Sequence, residues 1–305
     1  MSATLSPRRE CVAAPFSQHV SPVGDSVSSL IIDPAMGMAG DMFVAALVGL
    51  GAPAERAVEI MEASAEPIGG ADVAFHREPL PDATLAWRIA ATDRTTREPL
   101  ELHQATEFLT ASLWAAGVAD PYASFAARAL GILGHAEQHA HAGFHHAEHH
   151  DKRVVLHEAQ DIIMDLAATA WGLQWLGVSL EHASCHAPVY VGGGHVRFSH
   201  GRFAVPTPAT AQILAHHAIP WVRGPMDFEQ LTPTGAAILA ALRPRFVSRR
   251  AVSGAQRVGV GLGSRTTVPP NALTLTLEVG SPLRTSAGGE PEEHTAAPPG
   301  EAVSA

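Results

Sequence analysis

Cysteine is nearly absent from this chain of 305 residues: Cys11 and Cys185 are the only two. Two cysteines build no disulfide framework, and a reducing cytoplasm is the expected location. Basic residues are also scarce, with 20 Lys and Arg against 30 Asp and Glu and a formal charge of −10. No basic run is long enough to neutralise a phosphate track, which excludes a nucleic-acid partner. The longest apolar stretches, 42–54 and 166–180, are broken by Gly or Gln. They fall short of the roughly 20 residues that span a bilayer, so no membrane partner is expected. The first 20 residues carry Arg8, Arg9 and Glu10 and lack the apolar core of a secretory signal. Neither a Walker loop nor a Ser nucleophile elbow is present, which argues against the common NTPases and α/β-hydrolases.

What is present is a 46% hydrophobic chain able to bury a large core. Residues 1–27 and 281–305 are polar, rich in Ser, Pro or Gly and poor in large apolar side chains, and are expected to be a disordered leader and tail. The folded unit is expected over 28–280. Helical spacing predicts helices over 41–50, 55–65, 100–117, 121–141, 160–176, 209–217 and 234–242. Strands are predicted at 29–33, at 183–191 and as a pair flanking Pro79 and Pro81. A hairpin is predicted over 196–205, and closing strands over 252–260 and 273–279. This order, without a strict βαβ repeat, predicts an irregular α/β fold, or α+β, with a mixed sheet, packed helices and a His-rich loop.

The most informative block is DPAMGMAGDM at 33–42, between a strand and a helix. Gly37 and Gly40 would let backbone approach a ligand, and the free N–H groups of a helix start can hold an anion. Asp33 and Asp41 could coordinate a cation or take a proton. A tight turn with Asp41 as a helix cap is the plainer alternative.

Eight of the 18 histidines lie between 135 and 157: His135, His139, His141, His145, His146, His149, His150 and His157. On a helix 135/139, 141/145, 145/149 and 146/150 are i, i+4 pairs, which can share one metal, although Gly143 would interrupt the helix. Imidazoles without thiolates suit nickel, zinc or copper and disfavour a zinc finger or iron–sulfur site. The alternative is a solvated, biased loop that binds divalent metals weakly. The block LHEAQDIIMD at 156–165 follows, with His157 and Glu158 just before a helix that puts Asp161 and Asp165 on one face. Its plainer reading is capping and ordinary ion pairing.

Three loops in the C-terminal half complete the pattern: SHGRFAVPTPAT at 199–210 with His200 and Gly201, LTPTGAAIL at 231–239 with Thr234 and Gly235, and GVGLGSRT at 259–266 with Gly261 and Arg265. Each could bind phosphate or carboxylate, through a helix start or through the Arg265 fork, and each could be a structural turn.

Taken in order, these six blocks resemble the LarC family, the nickel insertion proteins of nickel-pincer cofactor biosynthesis. The resemblance covers residues 28–280, with Asp33, Gly37, Gly40, Asp41, His157, Glu158, Asp161, Asp165, His200, Gly201, Pro206, Pro208, Pro233, Thr234 and Gly235 at matching positions. The HEAQD block is shorter than the family's and lacks its glycine. The resemblance implies a nickel chelatase that inserts Ni(II) into pyridinium-3,5-bisthiocarboxylic acid mononucleotide, consuming CTP with Mg(II) or Mn(II). Asp33, Asp41, His157 and Glu158 would be catalytic, and the histidines with Asp161 and Asp165 would bind metal. Gly37, Gly40, His200, Gly201, Thr234, Gly235, Gly261 and Arg265 would hold the mononucleotide. It further implies a short form without the family's C-terminal domain. Either a separate polypeptide would supply that domain or the chain would be a reduced homologue with another nickel-related task, and a nickel-pincer enzyme would be the client. The competing expectation is a non-catalytic, His-rich nickel metallochaperone or store.

Overall fold

The computed structural model describes residues 28–95, 99–142, 154–198, 201–249 and 256–279. The N-terminal half runs β1 (Ser28–Asp33), α1 (Gly40–Gly49), α2 (Ala54–Ala65), β2 (Ala71–Pro79), β3 (Leu85–Asp93), β4 (Leu100–Glu101), α3 (Leu102–Ala115) and α4 (Tyr122–Ala142). After the histidine tract come β5 (Val155–Leu156), α5 (Ala159–Trp175), β6 (Ser184–Ala187), β7 (Val189–Tyr190), β8 (His195–Phe198), β9 (Gly201–Ala204) and α6 (Pro208–His216). The chain closes with β10 (Trp221–Val222), α7 (Pro233–Leu242), β11 (Arg245–Ser248), β12 (Gln256–Leu262) and β13 (Ala272–Val279).

Seven strands form one mixed sheet in the order β11-β6-β1-β13-β12-β3-β2. β1 pairs parallel to β6 and antiparallel to β13, so the closing strand lies at the centre beside the first. The fold is α/β, as the alternation of elements predicts. Leu30, Ile32, Leu273, Leu275 and Leu277 form one face of β1 and β13, fully buried against the helices, while Ile31 and Thr276 on the other face are buried as well. Helix α5 is apolar on nearly every side, and all of its residues from Ala159 to Leu173 except Asp161 are buried, as befits a helix inside a core.

Helix α1 lies on β12 with almost no side chain between them. Gly259 and Gly261 face the carbonyls of Ala46 and Met42, and a Cβ on Gly261 would sit 1.9 Å from the Met42 oxygen. The GVGLG run therefore serves helix–sheet approach, and this brings the start of α1 down to the ends of β3 and β12.

Several predicted boundaries shift for identifiable reasons. The single strand predicted over 183–191 is two, because Pro188 has no N–H to donate; β6 stays in the main sheet while β7 pairs with β10. β11, unpredicted, adds a parallel edge strand beside β6. The hairpin, the pair flanking Pro79 and Pro81, and the α5 stop at Gly177, with φ 63°, match the sequence expectation. The predicted leader and tail, residues 143–153 of the histidine tract, and His200 lie outside the described residues. No helix among the described residues is long and apolar enough to cross a membrane.

Replacing Gly261 with alanine is expected to cost about 3 kcal/mol or more, since the helix must lift from the sheet. Gly177→Ala meets nothing within 4 Å and should cost only the left-handed backbone penalty, about 1 kcal/mol. Urea unfolding midpoints of the two variants check this difference.

Candidate metal-handling site

The turn after β1 is locked in place by backbone. Gly37 donates to the Pro34 carbonyl at 3.0 Å and has φ +102°, a conformation reserved for glycine. A Cβ there would also strike the Gln230 carbonyl at 2.0 Å. The Met38 N–H donates to Gln230 and its carbonyl accepts from Thr232, so the segment leading into α7 is stitched to this turn. Thr232, not Thr234, caps α7 by accepting from the Gly235 N–H at 3.1 Å. Gly235 in turn abuts the Met38 carbonyl.

Gly40 opens α1, and its missing side chain leaves room for the Asp165 carboxylate: a Cβ would lie 2.2 Å from Oδ2. Two predicted residues one helix apart are thus brought together. Asp41 follows, accepting from the Met42 N–H at 2.7 Å. Burial pushes its carboxyl up to about 6, the Met42 bond and the Arg88 guanidinium pull down, and the Asp161 carboxylate pushes further up. An acid poised near neutrality is suited to taking a proton. Arg88 itself is held by a two-point pair with Glu78 (2.6 and 3.0 Å) and by the Gly263 carbonyl.

A second group of carboxylates gathers where α4 ends, α5 begins and α6 begins. Thr207 donates to Glu229 at 3.1 Å. Burial pushes Glu229 up to about 7, with Glu158 and Glu137 adding repulsion and Arg265 opposing it. Glu137 is raised to about 6 by burial and by Glu158. Arg265 lies over the Phe228 ring at 5.4 Å, which sets its guanidinium near these acids. His157 is half-buried and Glu158 exposed at the α5 entry.

A third group stands at the C-terminal end of β1. Asp33 pairs with Arg249, and its Oδ2 lies 3.5 Å from Nδ1 of His186 on the adjacent strand. Of the tract, His135 and His139 are exposed on α4, and His139 turns its Nδ1 to the His135 carbonyl at 2.8 Å. Among the described residues no three His, Cys, Asp or Glu side chains converge on a common metal position.

Sequence reasoning missed His186, Glu229, Glu137, Arg88 and Arg249. Arg88 had a signal, a lone charge in the apolar strand AWRIA. The others acquire their surroundings only through tertiary packing.

These features define an α/β protein with acidic groups and a buried imidazole at strand ends and helix starts. The chain belongs to the nickel insertion protein family, whose model matches residues 30–298. It is 34% identical over 246 residues to a protein of Methanothrix thermoacetophila with a provisional nickel-insertion name, covering 80% of this chain and 58% of the relative. It is 33% identical over 266 residues to a Nocardioides protein named pyridinium-3,5-bisthiocarboxylic acid mononucleotide nickel insertion protein, covering 85% and 61%. The chain thus spans about three-fifths of the length of these relatives. No solved structure matches it.

The raised Glu229 gives a signed pH dependence. Ionising it costs more in the fold than in the unfolded chain, so its contribution to stability is fully present below pH 4.5 and is lost as pH rises through about 7. Unfolding free energies of wild type and Glu229→Gln should diverge across this window by about 2–3 kcal/mol, the wild type losing stability relative to the variant.

Proposed function

We propose that this chain inserts Ni(II) into pyridinium-3,5-bisthiocarboxylic acid mononucleotide, forming two Ni–S bonds and one Ni–C bond. The observation that carries the reading is the turn at 33–41, set against α5 so that Gly40 receives Asp165 and Asp41 stands beside Asp161 and Arg88. The name of the Nocardioides relative supplies the substrate.

Nickel keeps its +2 state in this reaction. Two thiocarboxylate sulfurs coordinate, the ring carbon between them becomes the third donor, and its C–H bond breaks as the Ni–C bond forms. One proton must leave. Asp41 at about 6 can accept it at neutral pH and pass it to water, with His157 and Glu158 as the alternative bases at the α5 entry. Nickel would come from the histidine tract, whose flanks carry Glu137 and Glu158. Soft sulfur donors then draw the ion from imidazole and carboxylate. His200, Gly201, Thr234 and Arg265 would hold the mononucleotide. Gly37, Gly40, Gly235 and Gly261 would act by allowing the backbone approaches described above.

CTP with Mg(II) or Mn(II) belongs to this reading as a requirement that the assay below tests with and without the nucleotide. A nickel-pincer enzyme would receive the product. A cytoplasmic location, expected from the scarcity of cysteine, is part of the same reading.

Purified chain, the mononucleotide and Ni(II), with and without CTP and Mg(II), should yield the nickel adduct by mass spectrometry. Asp41→Asn is expected to slow adduct formation by about 100-fold or more. Replacing the tract histidines should leave insertion intact when nickel is plentiful. Tight nickel binding with no adduct under any condition would establish a metallochaperone or store instead.

A further inference from the structure

His186 has no role in the reading above, yet it is the most anomalous polar residue in the fold. Strand β6 pairs parallel to β1 with Cys185 opposite Ile32, so the next residue on each strand is His186 beside Asp33. Cys185 points into the apolar core and is fully buried. Alternation then sends His186 to the opposite face, the one Asp33 occupies. His186 is only 8% exposed, and neither ring nitrogen has a hydrogen-bond partner among the described residues. Leaving such a group unpaired costs about 1–3 kcal/mol, and a fold that keeps it invites a search for the missing partner.

The spacing to Asp33 identifies the kind of partner. At 3.5 Å, Nδ1 and Oδ2 are too far apart for a good hydrogen bond. Two donors on one tetrahedral ion, each at about 2.0–2.2 Å, stand roughly 3.3–3.5 Å apart. The other carboxylate oxygen, Oδ1, is already taken by Arg249, which fixes the carboxylate and leaves Oδ2 open. The Asp33 side chain is 25% exposed, so an ion can enter from solvent while His186 stays sheltered.

We propose that Asp33 and His186 form a two-donor site for a borderline divalent cation. One imidazole and one carboxylate favour nickel, cobalt or zinc over magnesium or calcium. Two protein donors leave the remaining positions open to water or to incoming sulfur, which is the design of a transfer point rather than a store. That the cargo is Ni(II) rests on the nickel insertion reading; the donor pair does not. The site is distinct from the tract, because it is preformed on adjacent strands of the main sheet.

The test uses the full chain with His139, His141, His145, His146, His149 and His150 replaced by alanine, so that tract binding is removed. Co(II) and then Ni(II) are titrated without mononucleotide and followed by visible absorption. One equivalent of Co(II) should bind with the intense d–d bands of a low-coordinate site, and Ni(II) should displace it. His186→Gln should abolish that equivalent, and Asp33→Asn should weaken it at least 10-fold. Circular dichroism verifies the fold. If His186→Gln does not fold, Asp33→Asn carries the test, since its carboxylate is partly exposed and the change is isosteric. Binding unchanged in the folded variants would overturn the proposal. The insertion assay is scored separately: binding at this pair without insertion removes the nickel-insertion reading and leaves the site, whereas insertion by a chain whose cation binding neither variant changes does the reverse.

Discussion

Everything at this site depends on how closely helix α1 can lie against its neighbours, and that distance is set by missing side chains. Gly259 and Gly261 let the helix backbone touch β12, Gly40 admits the Asp165 carboxylate, and Gly37 and Gly235 let the 33–41 turn touch the segment entering α7. A Cβ at any of these five positions would lie 1.9–2.2 Å from a carbonyl or carboxylate oxygen. At the four positions that face carbonyls the backbone must move, and at Gly40 the Asp165 carboxylate must be displaced from its place beside α1. One consequence is a rigid turn, stitched by hydrogen bonds of Met38 to Gln230 and Thr232. Another is that Asp33 at one end and Asp41 at the other are fixed by the same packing.

Electrostatics builds on this frame. Burial raises Asp41, Glu137 and Glu229 into the range around neutrality, and the nearby acids Asp161 and Glu158 add to the effect. Arg88 faces Asp41 and Arg265 faces Glu229 without neutralising the whole of either group, and Arg249 pairs with Asp33. A protein that must accept a hard-to-hold divalent ion and then release it benefits from that balance. Full neutralisation would weaken the ion's hold, and a full cage of donors would keep it. The described side chains offer pairs and mixed groups, not a closed three-donor set.

Much of the fold was legible in local chemistry. The glycine stop after α5, the proline entry into α6 and the apolar runs of β1 and β13 each place an element within a residue or two of its observed end. The strand break at Pro188 and the edge strand β11 were not legible, because RFVS is short, carries a charge and gains its strand character from pairing with β6. At the site, blocks with unusual glycine and acid spacing pointed to Asp33, Asp41, Asp161 and Asp165 and to their neighbourhood. They did not separate glycines that admit a ligand from glycines that admit another helix. His186 was invisible for a different reason: SCHA carries no motif, and its imidazole becomes informative only when burial leaves both nitrogens unpaired. Glu229 likewise looks like an ordinary loop acid until α6 and its own loop enclose it.

The central claim is that nickel moves from nitrogen and oxygen donors of this chain to sulfur and carbon donors of the mononucleotide. Nickel X-ray absorption follows that exchange directly, on the Ni(II)-loaded chain before and after addition of the mononucleotide, with CTP and Mg(II) supplied. The account predicts that a nitrogen and oxygen shell gives way to one dominated by two sulfurs and a short carbon bond. A shell that stays nitrogen and oxygen, with the mononucleotide unchanged, would contradict it.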